Sequence, residues 1–337
     1  MSDFYTLDDA AKTRCFQALA TAALPLWGFE GASLSLIKQR ENAVFKLELA
    51  NGELAAMRVH RAGYHSDDEL RSELQWMAAL NDYGVHTPEI IPAKDGALFR
   101  TVSAAEVHEA RQVDILRWVD GDTVGSIESG IEADIDDTFH TIGALVARMH
   151  NFAEQWPLPA GFSRHSWDAP GLLGEDPWWG RFWDLSLLSQ VQVERLQAAR
   201  EHALAELAAY GNGPDRYGLI HADTLPENFL AERDKGVVRV IDFDDGGFGW
   251  HLFDFATALF FSLGEPEFDP MLAAMMAGYA TQRPLPPQFE EKLPLFLLLR
   301  GFTYLGWIHT RSETDTAKEM GPIVVEGVMA LVDVYLG

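Results

Sequence analysis

Residues Leu219–Leu230 read LIHADTLPENFL. Two apolar pairs, Leu219-Ile220 and Phe229-Leu230, flank His221, Asp223, Glu227 and Asn228, with Pro226 between them. Apolar residues so close to polar ones describe a loop held against a core, and proline stiffens such a loop by fixing one backbone dihedral. The pattern asks what chemistry needs a carboxylate at 223 and an amide five residues later.

A second stretch answers. Val237–Gly249, VVRVIDFDDGGFG, reads as a short buried strand that runs into an acidic, Gly-rich loop, with Asp242 fourteen residues after Asn228. A carboxylate at a strand end is fixed yet exposed, as a hard divalent cation requires. Mg²⁺ takes oxygen ligands in near-octahedral geometry and shares them with substrate phosphates. Asn228 and Asp242 supply such oxygens, and Asp223 remains to take a proton from an attacking hydroxyl. That division of labour is the one used in kinase-type phosphoryl transfer.

Outward from these loops, the first 120 residues are rich in strand patterns. A helix is expected over 8–27, a hairpin over Leu34–Ala50 around Gln39-Arg40-Glu41-Asn42, and a third strand in ELAAMRVHR. Residues 67–82 have helical spacing, with acids in the first turn where the helix dipole favours them. ALFRTV and QVDILRWV are further strand candidates. After Asp120-Gly121 the pattern turns helical: 133–155, then VERLQAAREHALAELAAY, then most of the chain beyond Phe253. The expected architecture is α+β, with a strand-rich lobe over 1–119 and a helical lobe over 120–337.

Composition excludes some classes. The net charge of −25 argues against nucleic-acid binding, which needs Lys and Arg to displace counterions. No run approaches the roughly 18 apolar residues of a membrane span, and the N-terminus lacks the layout of a signal peptide. A single cysteine, Cys15, removes internal disulfides and cysteine-cluster metal sites, which fits a reducing cytoplasm. Five of the ten tryptophans fall in 156–183; they read first as packing under a Pro-rich loop, with cation–π contact to an aminated ligand as the alternative.

HADTLPEN followed by IDFDD resembles the aminoglycoside phosphotransferase and choline kinase superfamily, nearest its type II homoserine kinase and bacterial stress-response kinase branches. The resemblance implies a bilobal protein-kinase-like fold, ATP and Mg²⁺ as cofactors, and an alcohol as phosphate acceptor. It makes Asp223 the catalytic base and Asn228 and Asp242 the metal ligands. It puts Arg58 in the place of a phosphate-binding lysine and Glu73 in that of its helix-borne partner. Arginine there is a departure, offering a planar fork instead of a point charge. Backbone groups of Arg117, Trp118 and Val119 would face adenine, and Asn42 ends a turn that would cover phosphates without a Gly-rich sequence. His221, Asp244 and Asp254 stand as substrate or support residues: His221 as a buried brace, Asp254 as a helix cap or loop brace, and Asp244 as metal contact, amine contact or surface.

The acceptor is expected to be a small hydroxylated, amine-bearing metabolite or an aminoglycoside-like molecule. A protein serine or threonine is the alternative within the class. Outside it stand a metal-dependent hydrolase using His221, Asp223 and Asp242, and a nucleotide-binding pseudoenzyme. The sequence leaves the oligomeric state open.

Overall fold

The computed structural model describes residues 4, 7–39, 42–105, 107, 109–125, 135–232 and 235–337. The elements, in chain order, are α1 (Asp9–Trp27), β1 (Ser33–Gln39), β2 (Ala43–Glu48), β3 (Leu54–Val59), α2 (Asp67–Tyr83), β4 (Phe99–Val102), β5 (Arg111–Arg117), β6 (Asp122–Thr123), α3 (Ile135–Gln155), β7 (Ser166–Trp167), α4 (Ala169–Leu173) and α5 (Gln190–Tyr210). β8 (Tyr217–Ile220), β9 (Phe229–Glu232), β10 (Val237–Val240), β11 (Gly247–Trp250), α6 (His251–Leu259), α7 (Phe268–Ala280), α8 (Phe289–Thr310) and α9 (Asp315–Leu336) follow. The expected helices and strands are all present. The chain divides into two compact units. One comprises 1–122, 158–163 and 230–241; the other comprises 123–157, 164–229 and 242–337.

The first unit is built on a five-stranded antiparallel sheet in the order β1-β2-β3-β5-β4. Alternation along the strands sends Phe45, Leu47, Ala55, Met57, Val59, Val113 and Ile115 into one core, where Phe16, Leu19, Ala23 and Trp27 of α1 meet them. The period of two leaves Arg58 and Asp114 on the opposite face, directly across from each other in the β3–β5 register. α2 starts at a capping box in which Ser66 and Glu69 exchange hydrogen bonds, and three acids fill its first turn. Both α1 and α2 stop at a glycine in the left-handed region, Gly28 and Gly84.

β10 corrects one detail of the sequence reading. Among its residues only Val240 is buried, while Val237, Val238 and Arg239 are half-buried. The strand lies at the edge of its sheet, so its run of valines covers one neighbour instead of filling a core.

In the second unit, α8 is apolar almost all round and most of its residues are buried, as a central helix requires. α3 and α7 approach closely through two glycines. A Cβ on Gly143 would lie 2.0 Å from the carbonyl of Met275, and one on Gly278 would lie 1.9 Å from that of His140. A small sheet in the order β7-β11-β8 fixes the loops that matter. β8 and β11 are antiparallel with Ile220 opposite Gly247, so the chain leaving β8 and the chain entering β11 emerge at the same end.

Candidate active site

The loop after β8 carries Asp223 and Asn228, and the loop before β11 carries Asp242 and Asp244. The β8–β11 register therefore gathers them, and the rings of His221 and Phe243 touch between the loops at 4.6 Å. Two backbone positions are unusual. Ala222 has φ 61° and Asp242 has φ 63°, both in the left-handed region that L side chains enter at a cost of roughly 1–2 kcal/mol each. Strain of this kind persists only where the surroundings over-determine it.

At Ala222 the determinant is Asp254. Its Oδ1 accepts from the Ala222 N–H at 2.7 Å and its Oδ2 from the His221 N–H at 3.2 Å, and the Asp254 backbone carbonyl accepts from Thr224 Oγ1 at 2.5 Å. Asp254 lies in the first turn of α6 and braces the loop after β8; the capping alternative falls away. Burial pushes its carboxyl up to about 6, opposed by the charge of His221 and by the two backbone N–H groups. His150 lies 3.0 Å from Asp254 Oδ2 and stacks on His251 at 4.1 Å. Burial holds both imidazoles well below their ordinary range. His221 is fully buried, and its Nδ1 accepts from the Asp223 N–H at 3.3 Å, so it too is a brace.

Pro226–Asn228 forms a single 3₁₀ turn that swings Asn228 back on Asp223. The amide Nδ2 of Asn228 donates to the Asp223 carbonyl at 2.7 Å and to Asp223 Oδ2 at 2.8 Å. Because those acceptors require the nitrogen on that side, the amide oxygen points elsewhere and is available to a cation. The other Asp223 oxygen, Oδ1, takes a hydrogen bond from Arg300 of α8 at 3.2 Å.

The loop of Asp242 is held by its backbone. Arg164 donates to the carbonyls of Phe243 at 3.1 Å, Asp244 at 2.5 Å and Gly246 at 2.5 Å. His165 and Trp167 both reach the carbonyl of Asp245, at 3.0 and 2.8 Å. Asp244 is buried, which removes the surface reading for it. Asn228 and Asp242 offer hard oxygen donors at one end of one small sheet, a donor set that suits a magnesium-type ion.

The first unit holds a second charged cluster. Arg58 Nη1 donates to Glu73 at 2.8 Å, giving the expected partnership. Arg58 Nε and Nη2 also embrace Asp114 bidentately, each at 2.9 Å, and His60 Nε2 sits 2.6 Å from Asp114. Burial would raise the Asp114 carboxyl, but Arg58 and His60 outweigh it and hold the group below the usual range. The fork geometry explains arginine here, since lysine could not satisfy two buried carboxylates in this way. Sequence reasoning missed Asp114; its signal was a carboxylate in the otherwise apolar strand VDIL.

Other expected nucleotide contacts already have protein partners. The N–H groups of Arg117 and Trp118 donate to the carbonyls of Glu89 at 2.7 Å and Leu54 at 3.3 Å, which leaves Val119 as the N–H donor of that segment. Asn42 Oδ1 accepts from the Arg61 N–H at 3.1 Å. Arg40 and Glu41 of the same turn lie outside the described residues. The tryptophan-rich segment packs against the chain's own cations: Arg200 and Arg181 lie over Trp183, and Arg300 over Trp179. Arg164 and Arg300 were missed as well, although a lone arginine inside LFLLLRGF was a visible sign.

The profile of the family described as "Phosphotransferase enzyme family" matches residues 34–291. The chain belongs to the phosphotransferase enzyme family. It is accordingly a kinase with an alcohol group as acceptor. Among its relatives, amicoumacin kinase of Bacillus subtilis (strain 168) is 25% identical over 315 residues, covering 90% of this chain and 87% of that one. The solved structure of a microcompartment-associated aminopropanol kinase superposes with a TM-score of 0.83 at 36% identity, covering 94% and 96% of the two chains. An amicoumacin kinase solved with AMP-PNP, Ca²⁺ and Ami has the same fold, with a TM-score of 0.77 at 20% identity over 97% and 96%. The protein-kinase-like α+β architecture of this phosphotransferase is thus shown, as is its place beside the small-molecule kinases of the superfamily.

Proposed function

We propose that this phosphotransferase uses ATP and Mg²⁺ to phosphorylate the hydroxyl of a short amino alcohol. The observation that carries the chemistry is the double hold of Asn228 on Asp223, which orients the carboxylate and turns the amide oxygen outward. Asn228 and Asp242 would hold the metal, which when bound neutralises phosphate charge. Asp223 accepts a hydrogen bond from the acceptor hydroxyl and orients its oxygen toward the γ-phosphorus. As the new P–O bond forms and the bond to ADP breaks, the hydroxyl proton passes to the Asp223 carboxylate. The transition state of such transfers is loose, so little basicity is demanded of Asp223 and position matters most. In the first unit, Arg58 would act on the nucleotide while tied to Glu73 and Asp114, and Val119 would supply a backbone donor to the base.

The amino-alcohol assignment is supported by the 36% identity to an aminopropanol kinase across nearly the whole of both chains. The test is ADP release with a panel of 1-amino-2-propanol, ethanolamine, homoserine, choline, an aminoglycoside and a generic protein acceptor, with the phosphorylated product confirmed by ³¹P NMR. A phosphomonoester of 1-amino-2-propanol or a near analogue is the expected product. Transfer to the protein acceptor alone would overturn the assignment.

A further inference from the structure

Arg300 lies in the middle of α8 and is completely buried. Taking a guanidinium out of water costs several kcal/mol unless partners offset it. Its hydrogen-bond and ring partners belong to the loop after β8 or to a ring of aromatics. Nη1 donates to the carbonyl of Ala222 at 3.2 Å, and Nη2 donates to Asp223 Oδ1 at 3.2 Å and to the Tyr304 hydroxyl at 2.9 Å. The guanidinium carbon lies 4.3 Å from the centre of the Tyr304 ring, 5.0 Å from Trp179 and 5.5 Å from Phe253. Asp223 is the one carboxylate within ion-pair distance of it among the described residues, and that side chain keeps 18% exposure; Asp245 and Asp254 act on it through charge alone.

We propose that Arg300 is the positioning residue of Asp223. Asn228 fixes one carboxylate oxygen and Arg300 the other, so the carboxylate cannot rotate about its Cβ–Cγ bond and its remaining lone pair is aimed at the acceptor. Arg300 also grips the carbonyl of Ala222, the left-handed residue on which the direction of Asp223 depends. The aromatic box of Trp179, Phe253 and Tyr304 holds this internal cation in place of a ligand's ammonium group. The assignment rests on the reading of Asp223 as the group that orients the acceptor.

The test is chemical rescue. Arg300→Ala is assayed for ADP release with 1-amino-2-propanol, and in parallel with no acceptor, where water takes the phosphate. Misplacement of a reacting group by about 1 Å costs on the order of 100-fold in rate, so kcat should fall by about that factor with the nucleotide KM within about threefold. Free guanidinium at low millimolar concentration should enter the vacated box and restore kcat at least about tenfold, with saturation. A merely structural role would give no saturable guanidinium dependence. Arg300→Lys keeps the charge without the fork and should lower kcat about three- to tenfold at an unchanged nucleotide KM. Parent-level kcat in either variant, or a loss in folded Arg300→Ala that guanidinium leaves untouched, overturns the proposal. If the parent ignores 1-amino-2-propanol, the acceptor assignment fails, while acceptor-free ADP release still decides the role of Arg300.

Discussion

Removing the Asp254 carboxylate should unfasten the catalytic loop from its brace. In Asp254→Ala, the N–H groups of His221 and Ala222 and Nε2 of His150 lose their acceptor, and all three residues are fully buried. An unsatisfied buried donor costs roughly 1–3 kcal/mol, so three cost roughly 3–9 kcal/mol. Against this stands relief from burying the carboxylate. Its pKa of about 6 in place of 3.8 is worth about 3 kcal/mol at neutral pH. The net loss of stability should therefore reach up to about 6 kcal/mol. A catalytic loss should accompany it, because the left-handed turn at Ala222 sets the direction of Asp223. A fall in kcat of about 100-fold is expected, with the nucleotide KM nearly unchanged. Urea denaturation and steady-state ADP release, measured on the same preparation, separate the two effects. A variant that kept the parent kcat while losing stability would show that Asp254 holds the fold and not the loop.

Three further outcomes are expected. Arg58→Met strands two buried carboxylates and should destabilise the first unit by roughly 3–5 kcal/mol, read as a lowered urea midpoint with the transition of its sheet. Gly278→Ala drives a methyl against the His140 carbonyl and should cost roughly 1–3 kcal/mol by separating α3 from α7, whereas an alanine at the open position Gly327 should not. For pH, His150 and His251 bind fewer protons folded than unfolded, so each stabilises the fold above its unfolded pKa of about 6.5 and that stability is lost as pH falls. Asp254 acts oppositely, since its raised folded pKa adds stability as pH falls from about 6 towards 3.8. As pH falls below about 6.5 the two histidines together lower stability, and below about 6 Asp254 offsets part of that loss; replacing His251 with Gln should flatten the fall in denaturation curves.

The elements that carry the site were legible because their signals are local. Strand patterns marked β2, β3 and β5, helical spacing with acids in the first turn marked α2, and the spacing of Asp223, Asn228 and Asp242 marked the two loops. What stayed hidden depends on long-range register. Nothing in QVDILRWV shows that Asp114 lies opposite Arg58, because that pairing is set by the β3–β5 ladder between residues 56 positions apart. Arg300 reaches Asp223 across 77 positions, and Arg164 reaches the loop after Asp242 across about 80. The left-handed backbone at Ala222 and Asp242 has no sequence signal either, since glycine is absent from both positions and neighbouring hydrogen bonds impose the conformation.

The role proposed for Asp223 is exerted on the acceptor and not on the nucleotide. Asp223→Asn keeps the shape of the side chain and removes its charge. Isothermal titration should give it an ADP·Mg²⁺ Kd within about threefold of the parent, while ADP release with acceptor falls about 100- to 10,000-fold, the span of a lost proton acceptor. Equal turnover in the two proteins, or nucleotide binding lost together with transfer, would contradict that role.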